Sequence, residues 1–201
     1  MLSLDEGIAA LKAGELVVYP TETFYGLGAD PFSVDAMKSL FAAKAREADK
    51  PVGLIAADAD MAFSVAREVS AAARSLANAF WPGPLTLVLP PRDNFASELA
   101  GADGIGVRVS PHPIARALAR GLGTPITATS ANLSGGMPAT TLAEARSAFG
   151  TKVKVYLEGG KLTAAAPSTV VACDGNQVKM IRIGAISEAQ ITAALANTVI
   201  K

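Results

Sequence analysis

A mixed α/β fold built on a largely central sheet is what this sequence predicts, and three observations predict it. Helix-capping and strand signals alternate from one end of the chain to the other. Half of the 201 residues are hydrophobic, enough to bury one substantial core. No repeat, low-complexity tract or long linker interrupts them, so we read one domain over residues 1–201.

The elements follow in order. Ser3 with Glu6 forms a capping box, Leu4, Ile8 and Leu11 share a helical face, and Gly14 is placed to end that helix. The apolar run Leu16 to Tyr19 predicts a strand. Ser33 caps a second helix carrying Met37, Leu40 and Phe41, which delivers Lys44 near its carboxyl end. A strand at Val52 to Ala56 precedes alanine-rich helices between Asp58 and Phe80. Trp81-Pro82-Gly83-Pro84 breaks the last of them before a strand at Leu85 to Leu89. Gly104 to Val109 is another strand, and Pro111 to Arg120 a helix ended by Gly121. Ile126 to Ala128 is a short strand running into the Ser130-Asn132 loop. Thr141 with Glu144 opens a helix to Phe149. Strands at Val153 to Leu157, Thr169 to Cys173 and Val178 to Ile183 precede a helix opened by Ser187 with Gln190. Gly159 to Ala166, rich in glycine and alanine, is the expected mobile loop.

Composition narrows the chemistry. Eighteen Lys plus Arg balance eighteen Asp plus Glu, so no extended basic face is demanded. Cys173 is the single cysteine and His112 the single histidine, which leaves no internal disulfide, no Cys/His zinc set and no Cys-His nucleophile pair. Oxygen, lysine and arginine must carry any reaction. The amino terminus lacks a basic segment followed by an apolar one, and no apolar run approaches the roughly 20 residues of a spanning helix. A cytoplasmic protein without membrane contact is expected.

Three distant segments are rich in groups that bind anions or small polar ligands: Pro20-Thr21-Glu22-Thr23-Phe24-Tyr25-Gly26-Leu27, Lys44-x-Arg46 and Thr129-Ser130-Ala131-Asn132. The first follows a strand, so Thr21 and Thr23 emerge at a strand end, where α/β sheets place ligands. Neither G-x-x-x-x-G-K-[ST] nor G-x-G-x-x-G is present, and Gly26-Leu27-Gly28 alone serves many turns. A bound nucleotide would not use a P-loop.

Taken in order with Trp81-Pro82-Gly83-Pro84-Leu85-Thr86, Gly106-Val107-Arg108-Val109, Ser130-Ala131-Asn132-Leu133-Ser134-Gly135, Pro167-Ser168-Thr169 and Ile181-Arg182-x-Gly184, these segments resemble the YrdC/TsaC family of threonylcarbamoyl-AMP synthases. The resemblance covers nearly the whole chain. It implies a single-domain, YrdC-like, strongly twisted open mixed sheet flanked by helices, with a concave, positively lined cavity. It also implies a short form without the carboxy-terminal domain of longer members. Departures from the family pattern are Glu47 where proline often follows the K-x-R arginine, Ile183 where proline is common, and an apolar Val52 to Ala56 where many long members carry a histidine.

The implied activity joins L-threonine, bicarbonate and ATP into threonylcarbamoyl-AMP with release of pyrophosphate, for a modified adenosine in tRNA. Lys44 and Arg46 are the implied catalytic cations, because a carbamate attacking the α-phosphorus brings an anion onto an anion. Thr21, Thr23, Tyr25 and Arg108 are the implied threonine readers. Lys44, Arg46, Lys50, Thr86, Ser130, Asn132, Ser168 and Arg182 are the implied nucleotide contacts. Mg²⁺ is expected to ride on the triphosphate, since no carboxylate cluster for holding a metal is apparent. Each residue also has a plainer reading. Lys44 and Arg46 make an ordinary solvated, dipole-compensating pair at a helix end. Thr21, Thr23 and Tyr25 satisfy a turn, Ser130 and Asn132 cap a loop, and Arg108 is an exposed strand residue. Glu22 reads as a structural or hydrogen-bonding carboxylate, and His112 as a turn residue. Rival functions are a module that grips tRNA or double-stranded RNA, and a carbamoyl-adenylate-forming domain. Downstream threonylcarbamoyl-transfer proteins are the expected protein partners.

Overall fold

The computed structural model describes residues 3–45, 51–93, 99–163, 166–175 and 177–196. Arg46, Glu47 and Lys50 therefore lie outside the described residues, as do Ala164 and Ala165 of the glycine- and alanine-rich loop.

Local signals set the helices. Ser3 and Glu6 form the reciprocal capping box of α1 (Leu4–Lys12), and Thr141 with Glu144 that of α6 (Leu142–Phe149). Ser33 caps α2 (Val34–Lys44), Asp58 caps α3 (Ala59–Phe63), and Ser70 caps α4 (Ala71–Phe80). Before α7 (Glu188–Ala196), the Ser187 amide donates to the Gln190 side chain at 3.0 Å. Helix α5 (Pro113–Leu122) corrects the sequence reading: it runs through Gly121 and ends at Gly123, whose φ of 88° is left-handed. Gly121 is small for another reason. A Cβ there would lie 2.3 Å from Cδ1 of Ile8, so its absence lets α1 pack against α5.

The strands form two open sheets rather than one central one. The first has the order β8 (Thr129–Ser130), β2 (Gly26–Gly28), β1 (Val17–Tyr19), β9 (Val155–Tyr156). The second runs β11 (Gln177–Arg182), β10 (Thr169–Asp174), β4 (Leu85–Leu89), β6 (Gly104–Val109), β3 (Leu54–Ala56), β7 (Ile126–Thr127), with β5 (Ala100–Gly101) added to β6. Both sheets mix parallel and antiparallel pairs, for instance β1 with β9 parallel and β1 with β2 antiparallel.

Strands β1 and β3 explain their own apolar runs. Side chains alternate across a strand, and here both faces are covered. Val18, Leu54 and Ala56 join the larger core, while Val17, Tyr19 and Ile55 join a second core with Leu11, Leu118 and Ile126. Among the described residues no helix is long and apolar enough to cross a membrane.

Candidate active site

Strands from both sheets line one cavity of about 770 Å³, within the usual range for a small-molecule site. One wall is the segment after β1. Thr21 Oγ1 accepts from the amides of Thr23 and Phe24 at 3.1 and 3.2 Å and donates to the Phe24 carbonyl at 2.7 Å. Its single proton and both lone pairs are thereby used, and the Thr23 hydroxyl lies 3.1 Å away. The Thr23 hydroxyl lines the cavity. The Tyr25 hydroxyl donates to the Gly160 carbonyl at 2.8 Å and accepts from the Gly159 amide at 2.9 Å, pinning the 158–160 loop to the same wall. Burial pushes the Tyr25 phenol upward. All three residues line the cavity, and Thr21 organises the turn that presents Thr23.

Cationic side chains line the same cavity. Gly106 and Arg108 alternate along β6 toward the cavity, and Arg108 is buried, with Glu22 as its ion-pair partner. Burial pulls its guanidinium down to about 10, with Tyr19 opposing and Arg182 reinforcing that fall, so it stays charged at neutral pH. The expectation that Glu22 serves a structural, hydrogen-bonding purpose agrees with this contact and with the bond it accepts from Ser110.

Thr86, Ser168 and Arg182 meet at one corner. The two hydroxyls are 3.0 Å apart, and Arg182 Nη2 donates to the Ser168 carbonyl at 2.9 Å and to its hydroxyl at 3.1 Å. Gly184 makes this corner possible. A Cβ there would lie 2.3 Å from the Pro167 carbonyl oxygen, and the Gly184 amide donates to Thr169 Oγ1 at 3.0 Å.

Lys44 belongs to no solvated face. It is 3% exposed, and its ammonium donates to the carbonyls of Ser130 at 2.6 Å and Asn132 at 2.9 Å. Ser130 Oγ donates to Asn132 Oδ1, and Asn132 Nδ2 donates to the Leu133 and Gly136 carbonyls, each at 2.8 Å. Ser130 lines the cavity, and Lys44 and Asn132 hold its loop in shape.

Tyr19, Pro51 and Asp103 are among the cavity residues that sequence reasoning missed. Asp103 pairs with Lys179 at 2.7 Å, joining the turn before β6 to β11. In Gly101-Ala102-Asp103-Gly104 it reads only as a turn, and its partner is 76 residues away. Tyr19 is fully buried and donates to the Thr127 carbonyl at 2.8 Å. His112 is a turn residue as expected: its Nδ1 accepts from the Ile114 amide at 3.3 Å and caps α5. Trp81 is structural, with Nε1 donating to the Leu85 carbonyl at 2.7 Å and the indole packed on Phe63.

Among the described residues no cluster of three His, Cys, Asp or Glu side chains is placed to hold a metal. Asp103, which lines the cavity, and Glu22, which pairs with Arg108, already face cations.

An open α/β fold whose cavity is lined by hydroxyls, by the buried Arg108 and by the exposed Arg182 has the kind of site that suits small anionic ligands. Residues 9–184 match the Sua5/YciO/YrdC family, described as "Telomere recombination", and the chain belongs to that family. The threonylcarbamoyl-AMP synthase of Methylococcus capsulatus is 40% identical over 85% of this chain and 92% of its own length. That of Bacillus subtilis is 35% identical over 96% of this chain, which spans 56% of the bacillar protein. The crystal structure of Pyrococcus abyssi Sua5 complexed with L-threonine superimposes with a TM-score of 0.89 at 33% identity, covering 97% of this chain and 58% of that one.

Proposed function

We propose that this chain is an L-threonylcarbamoyladenylate synthase, joining L-threonine, bicarbonate and ATP with release of pyrophosphate. One observation carries the reading: a hydroxyl wall built by Thr21, Thr23 and Tyr25 shares a cavity with Arg108 and Arg182, in a chain whose relatives bear that enzyme's name.

The carbamate of threonine attacks the α-phosphorus, the new O–P bond forms, and the bond to pyrophosphate breaks. Both partners are anionic, so fixed cations must offset their repulsion. Thr23 offers a hydroxyl to the threonine hydroxyl or amine, and Arg108 a donor for its carboxylate. Thr86, Ser168 and Arg182 offer donors to the nucleotide, and Ser130, whose proton goes to Asn132, offers a hydroxyl oxygen as acceptor, with Asn132 shaping the Ser130 loop. Lys44 supplies positive charge beside that loop, and Arg46 and Lys50 are proposed as further cations for the phosphates. Mg²⁺ bound to the triphosphate supplies additional charge neutralisation. A cytoplasmic enzyme contacting tRNA, and handing its labile product to a threonylcarbamoyl-transfer protein, completes the proposal.

The test is to incubate purified protein with ATP, L-threonine and bicarbonate and to search for the adenylate by mass spectrometry. Tight, salt-sensitive RNA binding without any adenylate would favour an RNA-gripping module instead.

A further inference from the structure

Arg108 and Ser110 are two residues apart at the end of β6 and so leave the chain on one side. Glu22 bridges them. Its Oε1 pairs with Nη1 of Arg108, and its Oε2 accepts from the Ser110 hydroxyl. Ser110 is fully buried, and its oxygen accepts from the His112 amide at 3.1 Å. With that amide on the oxygen, the serine's single proton points at Glu22. The carboxylate is thus shared, one oxygen to the serine and one to the arginine. An unshared carboxylate prefers to grip a guanidinium with both oxygens.

From this geometry we infer that Ser110 is a positioning residue: it holds one oxygen of Glu22 away from Arg108, and so keeps an edge of the guanidinium open to a substrate carboxylate in the cavity. The inference deepens the proposed function, because it rests on Arg108 reading the threonine carboxylate. Glu22 keeps Arg108 charged and fixed, and Ser110 stops it from closing over the binding edge. Without the hydroxyl, Glu22 Oε2 would be a carboxylate oxygen without its donor at a side chain only 15% exposed. The nearest remedy is a second bond to Arg108, which closes the edge.

Two measurements on the full chain decide this. The crystal structure of S110A should show Glu22 gripping Arg108 with both oxygens; an unchanged, one-oxygen contact would overturn the inference. Calorimetric titration with L-threonine should show affinity lowered about tenfold in S110A and restored in S110T, the size expected when a hydrogen bond to a charged group is lost. With saturating threonine, kcat of S110A should stay within about twofold of the native value, whereas a merely structural lesion would lower kcat and the melting temperature together. Equal threonine affinity in S110A and native protein would also overturn it. If S110A fails to fold, S110C replaces it in both measurements, since a thiol is a weak donor of similar size. Should native protein bind no threonine at all, the proposed function fails, while the crystal geometry still decides the role of Ser110.

Discussion

The Lys44 ammonium donates to the main-chain carbonyl of Ser130 at 2.6 Å, tying the last turn of α2 to β8 across 86 residues of sequence. A buried cation bound to carbonyls is a brace as well as a charge. The loop it braces carries the Ser130 hydroxyl to the cavity wall.

Lys44→Ala should therefore damage two properties at once. Two charge-assisted hydrogen bonds are lost, so stability should fall by about 2–4 kcal/mol, measured by urea unfolding. Turnover should fall roughly a hundredfold or more if, as proposed, the charge of Lys44 and the loop it braces serve the nucleotide. Native stability in this variant would contradict the brace.

The two threonines of the hydroxyl wall should separate cleanly. Thr21→Val leaves the amides of Thr23 and Phe24 without their acceptor and should cost about 2 kcal/mol or more. Thr23→Val removes only a hydroxyl contact and should cost less than about 1 kcal/mol, while raising KM for threonine. Native enzyme should use serine poorly and 2-aminobutyrate more poorly still, because a site that pairs with a substrate hydroxyl is left with unmatched polar groups when it is missing. Equal kcat/KM for threonine and 2-aminobutyrate would exclude Thr23 and Tyr25 as readers of that hydroxyl.

Those threonines were legible in the sequence because their partners are local. The same holds for the capping boxes at Ser3 and Thr141, whose donors and acceptors sit three residues apart. Helix α5 was misjudged by two residues because Gly121 and Gly123 are equally good stop signals on paper. Only the packing of Ile8, more than a hundred residues earlier, shows that Gly121 is small for contact. The division into two sheets was hidden for a related reason: β1 pairs with β9, near residue 155, and nothing local specifies that partner. Lys44 was picked out as a cation, but its acceptors are main-chain carbonyls, which leave no trace in a sequence. Ser110 left no signal either, since its meaning depends on Glu22 lying 88 residues before it.

His112 gives the fold a dependence on pH. Burial holds its folded pKa below the ordinary 6.5, and its Nδ1 must be unprotonated to accept from Ile114. The unfolded chain then binds more protons than the folded one as pH falls through 6.5, so stability present above that value is lost on acidification. Melting curves at pH 7.5 and pH 5.5 should show the loss. His112→Asn, which still caps the helix but does not titrate there, should flatten the slope; an unchanged slope would assign it to other groups.

The proposed nucleophile is a carbamate, so neither threonine nor bicarbonate alone can release pyrophosphate from ATP. The most direct measurement is the rate of pyrophosphate release by purified protein with each of the two omitted in turn. The account predicts near-complete loss of release in either omission and full activity with both present. Pyrophosphate release that continues at the same rate without threonine would contradict it.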